Sequence, residues 1–260
     1  MKHFSQFCNM EYHKDTTKIS KSGLDLIHKS PLHYWERYLN PGHVEKKTPA
    51  LLLGSAVHCA VLEPSEFGKR YAIAPNLDRR TKDGKQRYEE FIASVEGLEI
   101  ISPEDAIICE RIAEAARRHP QAGLLLSKIT QVEQVFTHED KKCKPDALTS
   151  LNICLDLKTT EDASPYAFGR SAMKYRYDVQ AAFYIDILEA NNIQCDGFVF
   201  IAVEKTAPFA VACYVIEDAD IQAGRQKYQE DYIAWKQCTQ LNEWPGYNGL
   251  AKLQLPNYGK

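Results

Sequence analysis

The period of the hydrophobic and polar positions changes near the middle of the chain. Residues 130–137, 143–149 and 153–159 are short segments rich in residues that favour strands, and they follow one another closely. We predict that they form a meander of three strands. Residues 197–204 and 209–216 have the same character and predict a second pair of strands.

Helix-start signals flank these strands. Ser30, Thr48, Ser102 and Ser164 each stand before a proline, which matches a capping residue followed by the first helical position. The predicted helices cover residues 23–29, 31–39, 49–62, 85–95, 103–118, 177–191 and 218–237, with a further helix that begins at Ser164. This order of elements predicts an α/β fold with one mixed central β-sheet of about five strands flanked by helices.

The 260 residues are enough for one large domain, and we predict one. It would comprise an N-terminal helical portion over residues 18–125, a sheet core over residues 126–236 and an irregular tail over residues 239–260. Residues 68–90 are polar and basic, so we expect a long mobile loop that runs into the helix at 85–95.

Composition is that of an ordinary globular protein. Hydrophobic residues make up 44% of the sequence and charged residues 26%, and no apolar run approaches the roughly 20 residues of a membrane-spanning helix. The N-terminus lacks the apolar segment of a secretory signal, so we expect a cytoplasmic protein without a membrane partner. The eight cysteines show no C-x-x-C spacing, which argues against a zinc ribbon or an iron–sulfur cluster.

The net charge of −3 gives no sign of a polyanionic partner and counts mildly against a nucleic-acid ligand. Basic residues nevertheless form two clusters, and both are candidates for DNA binding. They are Arg79, Arg80, Lys82, Lys85 and Arg87 in the first, and Arg170, Lys174 and Arg176 in the second. Taken alone, each cluster is more simply interpreted as a solvated charged surface.

One predicted strand places a carboxylate beside an amine. Asp156 and Lys158 share a face of the strand at 153–159, because alternate side chains of a strand point the same way. Asp146 belongs to the neighbouring strand. A three-residue connection at 150–152 would place Asp146 directly opposite Asp156, whereas a two-residue turn would point it to the other face. We predict the three-residue connection, or a bulge with the same effect.

Two facing carboxylates suit a hard divalent cation such as Mg²⁺, which prefers oxygen ligands. A cation held by Asp146 and Asp156 would activate a water and offset charge on phosphoryl oxygens, while Lys158 would position that water or stabilise the developing charge. This chemistry is phosphodiester hydrolysis. The alternative is that Asp146 lies in a turn and that Asp156 and Lys158 form an ordinary surface pair.

The surrounding sequence resembles that of a nuclease superfamily. Pro145-Asp146 followed by Asp156-Leu-Lys158 resembles the signature of the PD-(D/E)xK nucleases. Two further motifs, Gly54-Ser-Ala-Val-His58 and Gln180-Ala-Ala-Phe-Tyr184, resemble those of its RecB-like branch. The resemblance implies a restriction-endonuclease-like fold. It implies metal ligands at His58, Asp146 and Asp156, and catalytic roles for Asp146, Asp156, Lys158, Gln180 and Tyr184.

Each added motif also has a physical interpretation. Gly54 and His58 lie one turn apart on a helix, so the missing side chain would let the helix approach the sheet while His58 reaches the metal. Gln180 and Tyr184 have the same spacing and could hydrogen-bond Lys158, a ligand or the DNA backbone. Taken alone, His58 would be a core histidine, and Gln180 and Tyr184 an ordinary helix face.

Longer stretches are similar to the nuclease domain of the exodeoxyribonuclease VIII, or RecE, family, and the resemblance covers roughly residues 18–236. These stretches are Ser20-Lys-Ser-Gly-Leu24, Ser30-Pro-Leu-His-Tyr34, Leu51–His58 and Asp156-Leu-Lys-Thr-Thr160. The family resemblance implies a Mg²⁺-dependent exonuclease that digests one strand of linear double-stranded DNA in the 5′→3′ direction, leaving 3′ single strands for recombination. It also implies a homo-oligomeric ring, with a tetramer favoured, and a RecT-type single-strand annealing protein as partner.

Other functions fit the same residues. The chain could be a structure-specific endonuclease, a single-strand exonuclease of the same superfamily, or a DNA-binding module without activity. A nitrogen ligand at His58 would allow Mn²⁺ to replace Mg²⁺. Glu133 is either an auxiliary carboxylate of the site or an ordinary edge-strand glutamate. A ring threaded by DNA needs a basic lining rather than a basic protein, and residues 79–87 are the candidate lining.

Overall fold

The computed structural model of the chain describes residue 12 and residues 14–44, 48–250 and 252–253. The helices are α1 (Lys21–Lys29), α2 (Pro31–Tyr38), α3 (Pro49–Leu62), α4 (Pro64–Arg70), α5 (Lys82–Ser94), α6 (Pro103–Arg118), α7 (Pro120–Ser127), α8 (Pro165–Lys174), α9 (Tyr177–Ala190) and α10 (Asp218–Leu241). The strands are β1 (Tyr71–Ile73), β2 (Glu99–Ile101), β3 (Ile129–Val132), β4 (Phe136–His138), β5 (Lys141–Cys143), β6 (Ala147–Thr149), β7 (Ile153–Thr160), β8 (Gly197–Glu204) and β9 (Val211–Val215).

Prolines begin these helices where the sequence predicts them, but only two of the four predicted hydroxyl caps accept a capping hydrogen bond; Ser30 and Ser164 stand at the N-cap position without one. Thr48 accepts a hydrogen bond from the N–H of Leu51, and Ser102 accepts one from the N–H of Asp105. Proline fills the first position of six helices, where its missing N–H leaves no bond unmade. Within the described ranges, none of the helices combines the length and the apolar character needed to cross a bilayer.

The central sheet has five strands in the order β3-β6-β7-β8-β9, and its mixed character confirms the predicted fold class. The β7–β8 pair is parallel, whereas the other three pairs are antiparallel. A parallel pair needs a long crossover, and α8 and α9 supply it. The predicted meander is present as β3, β6 and β7.

Each face of the sheet packs against its own set of helices. Leu155 and Leu157 of β7 are buried with residues of α3 and α6 on one face. Cys154 points to the opposite face, where α1, α9 and α10 form the second core cluster. Asp156 and Lys158 share the face of Cys154, so the strand carries charge on the side that α9 covers.

The first two predicted strands are each interrupted. Residues 130–137 divide into β3 and β4, and residues 143–149 divide between β5 and β6. The break after β3 falls at Glu133, whose φ of 48° takes the chain out of the strand conformation. β4 and β5 then form a separate two-stranded hairpin with His138 paired to Lys141.

Four short elements were not predicted from the sequence. Helices α4 and α7 follow their neighbours directly, and β1 and β2 form a small parallel pair within the predicted helical portion. The long mobile loop predicted at residues 68–90 is therefore wrong for most of its length, because only residues 74–81 connect β1 to α5. At the other end, α10 continues to Leu241, so the irregular tail begins later than the predicted residue 239.

A buried ion pair joins α1 and α10 to the start of α9. Arg176 precedes α9 in the left-handed backbone conformation, and its guanidinium contacts Asp25 of α1 at 3.2 Å and also Asp231 of α10. Only 12% of the Arg176 side chain is exposed. The prediction that Arg176 binds DNA is therefore wrong, because its charge is already paired inside the protein. Lys174, two residues earlier, is exposed.

We predict that Arg176→Ala lowers the free energy of unfolding by about 3–5 kcal/mol, because it leaves a buried carboxylate without its partner. The matched variant Lys174→Ala should change it by less than about 0.5 kcal/mol. Urea denaturation of the two variants measures both values. If Arg176→Ala were as stable as wild type and bound DNA more weakly, Arg176 would be a DNA contact after all.

Candidate active site

The connection between β6 and β7 sets the geometry of the site. Ala147 pairs with Leu155 and Leu148 pairs with Cys154, so a three-residue connection at 150–152 joins the strands as predicted. Within it, the Thr149 hydroxyl accepts hydrogen bonds from backbone N–H groups, and Asn152 adopts a φ of 56°. One step further along this register, Asp146 stands opposite Asp156.

Asp146 lies just before β6 begins, where the pairing of β6 with β7 ends. Its Oδ2 accepts a hydrogen bond of 2.8 Å from the backbone N–H of Leu157, the residue between Asp156 and Lys158. The same oxygen lies 3.3 Å from Nδ1 of His58 on α3. Asp146 therefore connects β7 to α3, a helix on the other face of the sheet.

Asp156 is buried, and its two oxygens have different surroundings. Oδ1 accepts a hydrogen bond from the side-chain amide of Gln180. Oδ2 is buried and lies 2.6 Å from Nζ of Lys158, its ion-pair partner, and no other donor contacts it within the described residues. A buried carboxylate oxygen with unfilled acceptor capacity is what a metal ligand would offer.

Lys158 and Gln180 form one unit with Asp156. The Gln180 amide oxygen accepts a hydrogen bond of 3.1 Å from Lys158 Nζ, and the same ammonium lies 4.7 Å from the ring centre of Tyr177. Burial alone would lower the pKa of Lys158, but the charges of Asp156 and Asp146 outweigh it and raise the pKa above its ordinary value. Lys158 is therefore a cation at neutral pH.

His58 reaches the site, but not for the reason that its motif predicts. A Cβ added at Gly54 would meet nothing within 4 Å, so Gly54 lies beside open space and not against the sheet. Helix α3 instead approaches the sheet through buried small residues such as Ala56 and Ala60. The predicted packing role of Gly54 is wrong, whereas the contact of His58 with Asp146 is present.

Glu133 follows β3 and lies close to His58. Its N–H donates a hydrogen bond of 3.0 Å to the backbone carbonyl of Asp146, and its carboxylate contacts Lys144 Nζ at 2.7 Å. Burial would raise the pKa of Glu133, but Lys144, His58 and Arg70 outweigh it and lower the pKa. Glu133 therefore is an ionised carboxylate that directly follows the edge strand β3 and lies beside the site, and its auxiliary role stays a prediction.

Tyr184 lies one helical turn after Gln180 and packs inward. Its ring is 6.2 Å from that of Phe198, and burial raises the pKa of its hydroxyl well above the ordinary value. No hydrogen bond from Tyr184 to Lys158 or to the carboxylates is present in the described part of the chain. Tyr184 thus supports the helix that carries Gln180, and a direct contact with substrate stays a prediction.

The first basic cluster is exposed and partly neutralised by its own neighbours. Arg80 pairs with Asp78 at 2.9 Å and Arg87 with Asp83 at 3.1 Å, and Arg79 lies over the Tyr88 ring. Lys82 and Lys85 are also exposed. In the second cluster, Arg170 and Lys174 are exposed. A DNA-binding role for these side chains stays a prediction.

The site residues fit a divalent cation in their chemistry. Asp146 and Asp156 offer carboxylate oxygens, and His58 offers a ring nitrogen. Among the residues described, however, no group of three His, Cys, Asp or Glu side chains is arranged to hold a metal as it stands. The seven described cysteines are free thiols, and Cys8 lies outside the described residues.

Comparison with known proteins decides the family. A family model described as a PDDEXK-like domain of unknown function (DUF3799) matches residues 20–254. The chain belongs to this PDDEXK-like family. The match confirms the superfamily that Asp146, Asp156 and Lys158 predicted. No curated protein matches the chain.

One solved structure shares the fold of this chain. A candidate exonuclease from Eubacterium rectale has a TM-score of 0.64 at 16% identity, covering 94% of this chain and 88% of that chain. At this identity it shows a shared fold alone. A phage-related exonuclease from Haemophilus somnus 129PT has a TM-score of 0.37 at 13% identity, covering 86% and 96%. The alkaline exonuclease LHK-Exo from Laribacter hongkongensis has a TM-score of 0.33 at 12% identity, covering 69% of this chain and 96% of that chain. The last two TM-scores are too low to show a shared fold.

Two members of the PDDEXK-like site were missed in the sequence. Tyr177 lies beneath Lys158, and Lys144 pairs with Glu133. Tyr177 stands three residues before Gln180, so the helical spacing of α9 could have revealed it. Lys144 directly precedes the Pro145-Asp146 motif, but its partner is brought close only by the break in the strand at Glu133.

Asp146 has a raised pKa, which makes the stability of the protein depend on pH. Burial raises the pKa of Asp146 from 3.8 to about 6, and the negative charge of Asp156 acts in the same direction against the lowering effects of His58 and Lys158. The folded state therefore binds this proton more tightly than the unfolded state. The stabilisation is complete below the unfolded pKa and is lost as the pH rises through the folded pKa of about 6.

We predict that Asp146→Asn, in the presence of EDTA, gains stability relative to wild type as the pH rises from about 4 to 7. The gain should be on the order of 2–3 kcal/mol, because the variant does not have to ionise a buried carboxyl. Urea denaturation across this pH range measures it. The exposed variant Asp220→Asn is the control. A constant stability difference between Asp146→Asn and wild type at all pH values would contradict the pKa.

Proposed function

We propose that this PDDEXK-like protein is a metal-dependent exodeoxyribonuclease that hydrolyses phosphodiester bonds of DNA. The observation that carries the proposal is the β6–β7 register, which sets Asp146 opposite Asp156 with the charged Lys158 alongside. Two carboxylates that converge at one place are costly unless a cation is drawn to them.

The residues that would hold the cation are Asp146, Asp156 and His58, with Glu133 as an auxiliary carboxylate. We favour Mg²⁺ because oxygen ligands predominate, and the imidazole of His58 would tolerate Mn²⁺. When bound, such a cation supplies a Lewis acid that offsets phosphate charge and lowers the pKa of a water. The buried Oδ2 of Asp156 supports this assignment, since it has unused acceptor capacity.

Lys158 would act on the phosphodiester itself. It is a cation held by Asp156 and by the Gln180 amide oxygen, so its ammonium is fixed before substrate arrives. A preorganised charge stabilises the negative charge that develops on a phosphoryl oxygen without first having to reorient. Gln180 is a positioning residue, because it fixes Asp156 and Lys158 at once.

The finer features rest on the RecE resemblance. We propose 5′→3′ digestion of one strand from the ends of linear double-stranded DNA, in a homo-oligomeric ring with a tetramer favoured. We also propose a cytoplasmic location and a RecT-type annealing protein as partner. The exposed cations among residues 79–87 are the proposed lining of the ring channel.

We predict that Asp156→Asn lowers the rate of DNA cleavage by at least about 100-fold, since it removes a metal ligand. DNA binding should remain near that of wild type, because Asp156 is buried and makes no phosphate contact in this proposal. The control is Asp162→Asn, an exposed aspartate that follows β7. Circular dichroism verifies folding. A cleavage rate in Asp156→Asn equal to that of the control would refute the proposal.

We predict that linear duplex DNA is degraded and covalently closed circular duplex is not, because an exonuclease requires an end. Gel assays with 5′-labelled and 3′-labelled linear strands give the polarity, with EDTA as the metal-free control. Cleavage of circles would show an endonuclease. Digestion of single strands alone would show a single-strand exonuclease. DNA binding without any cleavage would show an inactive binding module.

A further inference from the structure

Helix α8 presents an unusual surface next to the active site. Three large side chains project from it or follow it with high exposure: Tyr166 at 76%, Met173 at 82% and Tyr175 at 51%. The exposed cations Arg170 and Lys174 lie among them. Single exposed apolar side chains are ordinary, but a contiguous group of them usually marks a binding surface. We call these five residues the α8 platform.

The spacing of the residues gathers the platform on one face of the helix. Tyr166, Arg170, Met173 and Lys174 occupy positions i, i+4, i+7 and i+8, which align along a helix. The opposite face is anchored by Phe168, whose ring stacks on Tyr214 with centroids 4.8 Å apart. The side chains of the platform are therefore directed outward by the packing of Phe168.

Aromatic and cationic groups alternate within the platform. The Arg170 guanidinium lies 5.9 Å from the Tyr166 ring centre, and Lys174 Nζ lies 5.2 Å from that of Tyr175. The acidic residues that flank the platform in sequence have partners of their own: Glu161 pairs with Lys205, Asp178 pairs with Lys227, and Asp162 accepts a hydrogen bond from the N–H of Ser164. The platform thus combines flat apolar surfaces with positive charge and suits a ligand that has both ring faces and anionic groups.

The platform continues into the active site. The Tyr175 ring is stacked near the Tyr177 ring with centroids 6.1 Å apart, and Lys158 lies over Tyr177. The backbone carbonyl of Tyr175 is fixed by a hydrogen bond of 2.7 Å from Lys21. A ligand along α8 would therefore lead directly to the catalytic lysine.

We propose that the α8 platform binds single-stranded DNA, with the rings of Tyr166 and Tyr175 stacking on bases, Met173 packing against a base, and Arg170 and Lys174 contacting phosphates. The span from residue 166 to residue 174 is about 12 Å at 1.5 Å per residue, which accommodates three to four stacked nucleotides at roughly 3.4 Å each. In duplex DNA the base faces are covered by their neighbours, so the platform selects the unpaired strand at a DNA end. The choice of DNA as ligand rests on the proposed function.

The test measures binding, so it does not depend on cleavage. Fluorescence anisotropy in EDTA reports the affinity for an oligothymidylate of about 12 nucleotides, a length within the usual site sizes. The variant Tyr166→Ala/Met173→Ala/Tyr175→Ala should bind it at least about tenfold more weakly, because each lost stacking contact is worth roughly five- to 150-fold. Tyr166→Phe/Tyr175→Phe, which keeps the rings, should bind like wild type.

The cations are tested by the salt dependence of the same affinity. Arg170→Gln/Lys174→Gln should reduce the slope of log K against log salt by about 1.4, which corresponds to two phosphate contacts on a single strand. The controls are Arg111→Gln/Arg118→Gln, two exposed cations of α6, and Tyr247→Ala, an exposed tyrosine of the C-terminal segment. These controls should retain the wild-type affinity and slope.

Several outcomes would overturn the proposal. One is that wild type shows no measurable binding of the oligonucleotide, and another is that the folded triple alanine variant binds it unchanged. A third is that the triple alanine variant loses as much affinity for a blunt duplex as for the oligonucleotide, which would indicate general phosphate contact. A concentration-dependent oligomer that dissociates only in the triple variant would assign the surface to a second copy of the chain. Cleavage by Asp156→Asn at the rate of its control, with normal oligonucleotide binding, would refute the proposed active site and leave the platform proposal intact, so the two proposals fail separately.

Discussion

The repulsion between two carboxylates is the interaction on which the site depends. Asp146 stands opposite Asp156 in the register of β6 and β7, and burial together with the negative charge of Asp156 raises the pKa of Asp146. Lys158 offsets this charge from the same strand, and Gln180 fixes both ends of the pair. The fold therefore maintains an arrangement that is unfavourable in the free protein and suited to a cation.

The sheet explains why these residues meet. The three-residue connection between β6 and β7 places positions 146 and 156 opposite each other in the strand register. A connection longer or shorter by one residue would turn Asp146 to the other face of the sheet. The two faces then contribute different partners. Helix α9 brings Gln180 and Tyr177 to Lys158, while α3 brings His58 to Asp146. These side chains meet where the pairing of β6 with β7 ends.

Local patterns predicted the strand and helix framework because capping residues, prolines and alternation act over a few positions. The same rules yielded the opposition of Asp146 and Asp156. These rules failed where contacts between residues distant in sequence determine the role of a side chain. Arg176, for example, forms ion pairs with Asp25 and Asp231 inside the protein. Gly54 faces open space although its motif suggested close packing. The roles proposed for the exposed basic residues depend on a ligand and cannot be read from local patterns.

A crystal of the protein soaked with Mn²⁺ would show whether Asp146 and Asp156 together bind a divalent cation. Anomalous difference density marks the position of the ion independently of any activity. We expect a peak within about 2.0–2.3 Å of carboxylate oxygens from both Asp146 and Asp156, with His58 as a neighbour. A fully loaded crystal with no peak between these two aspartates, or with a peak elsewhere in the molecule only, would contradict this expectation.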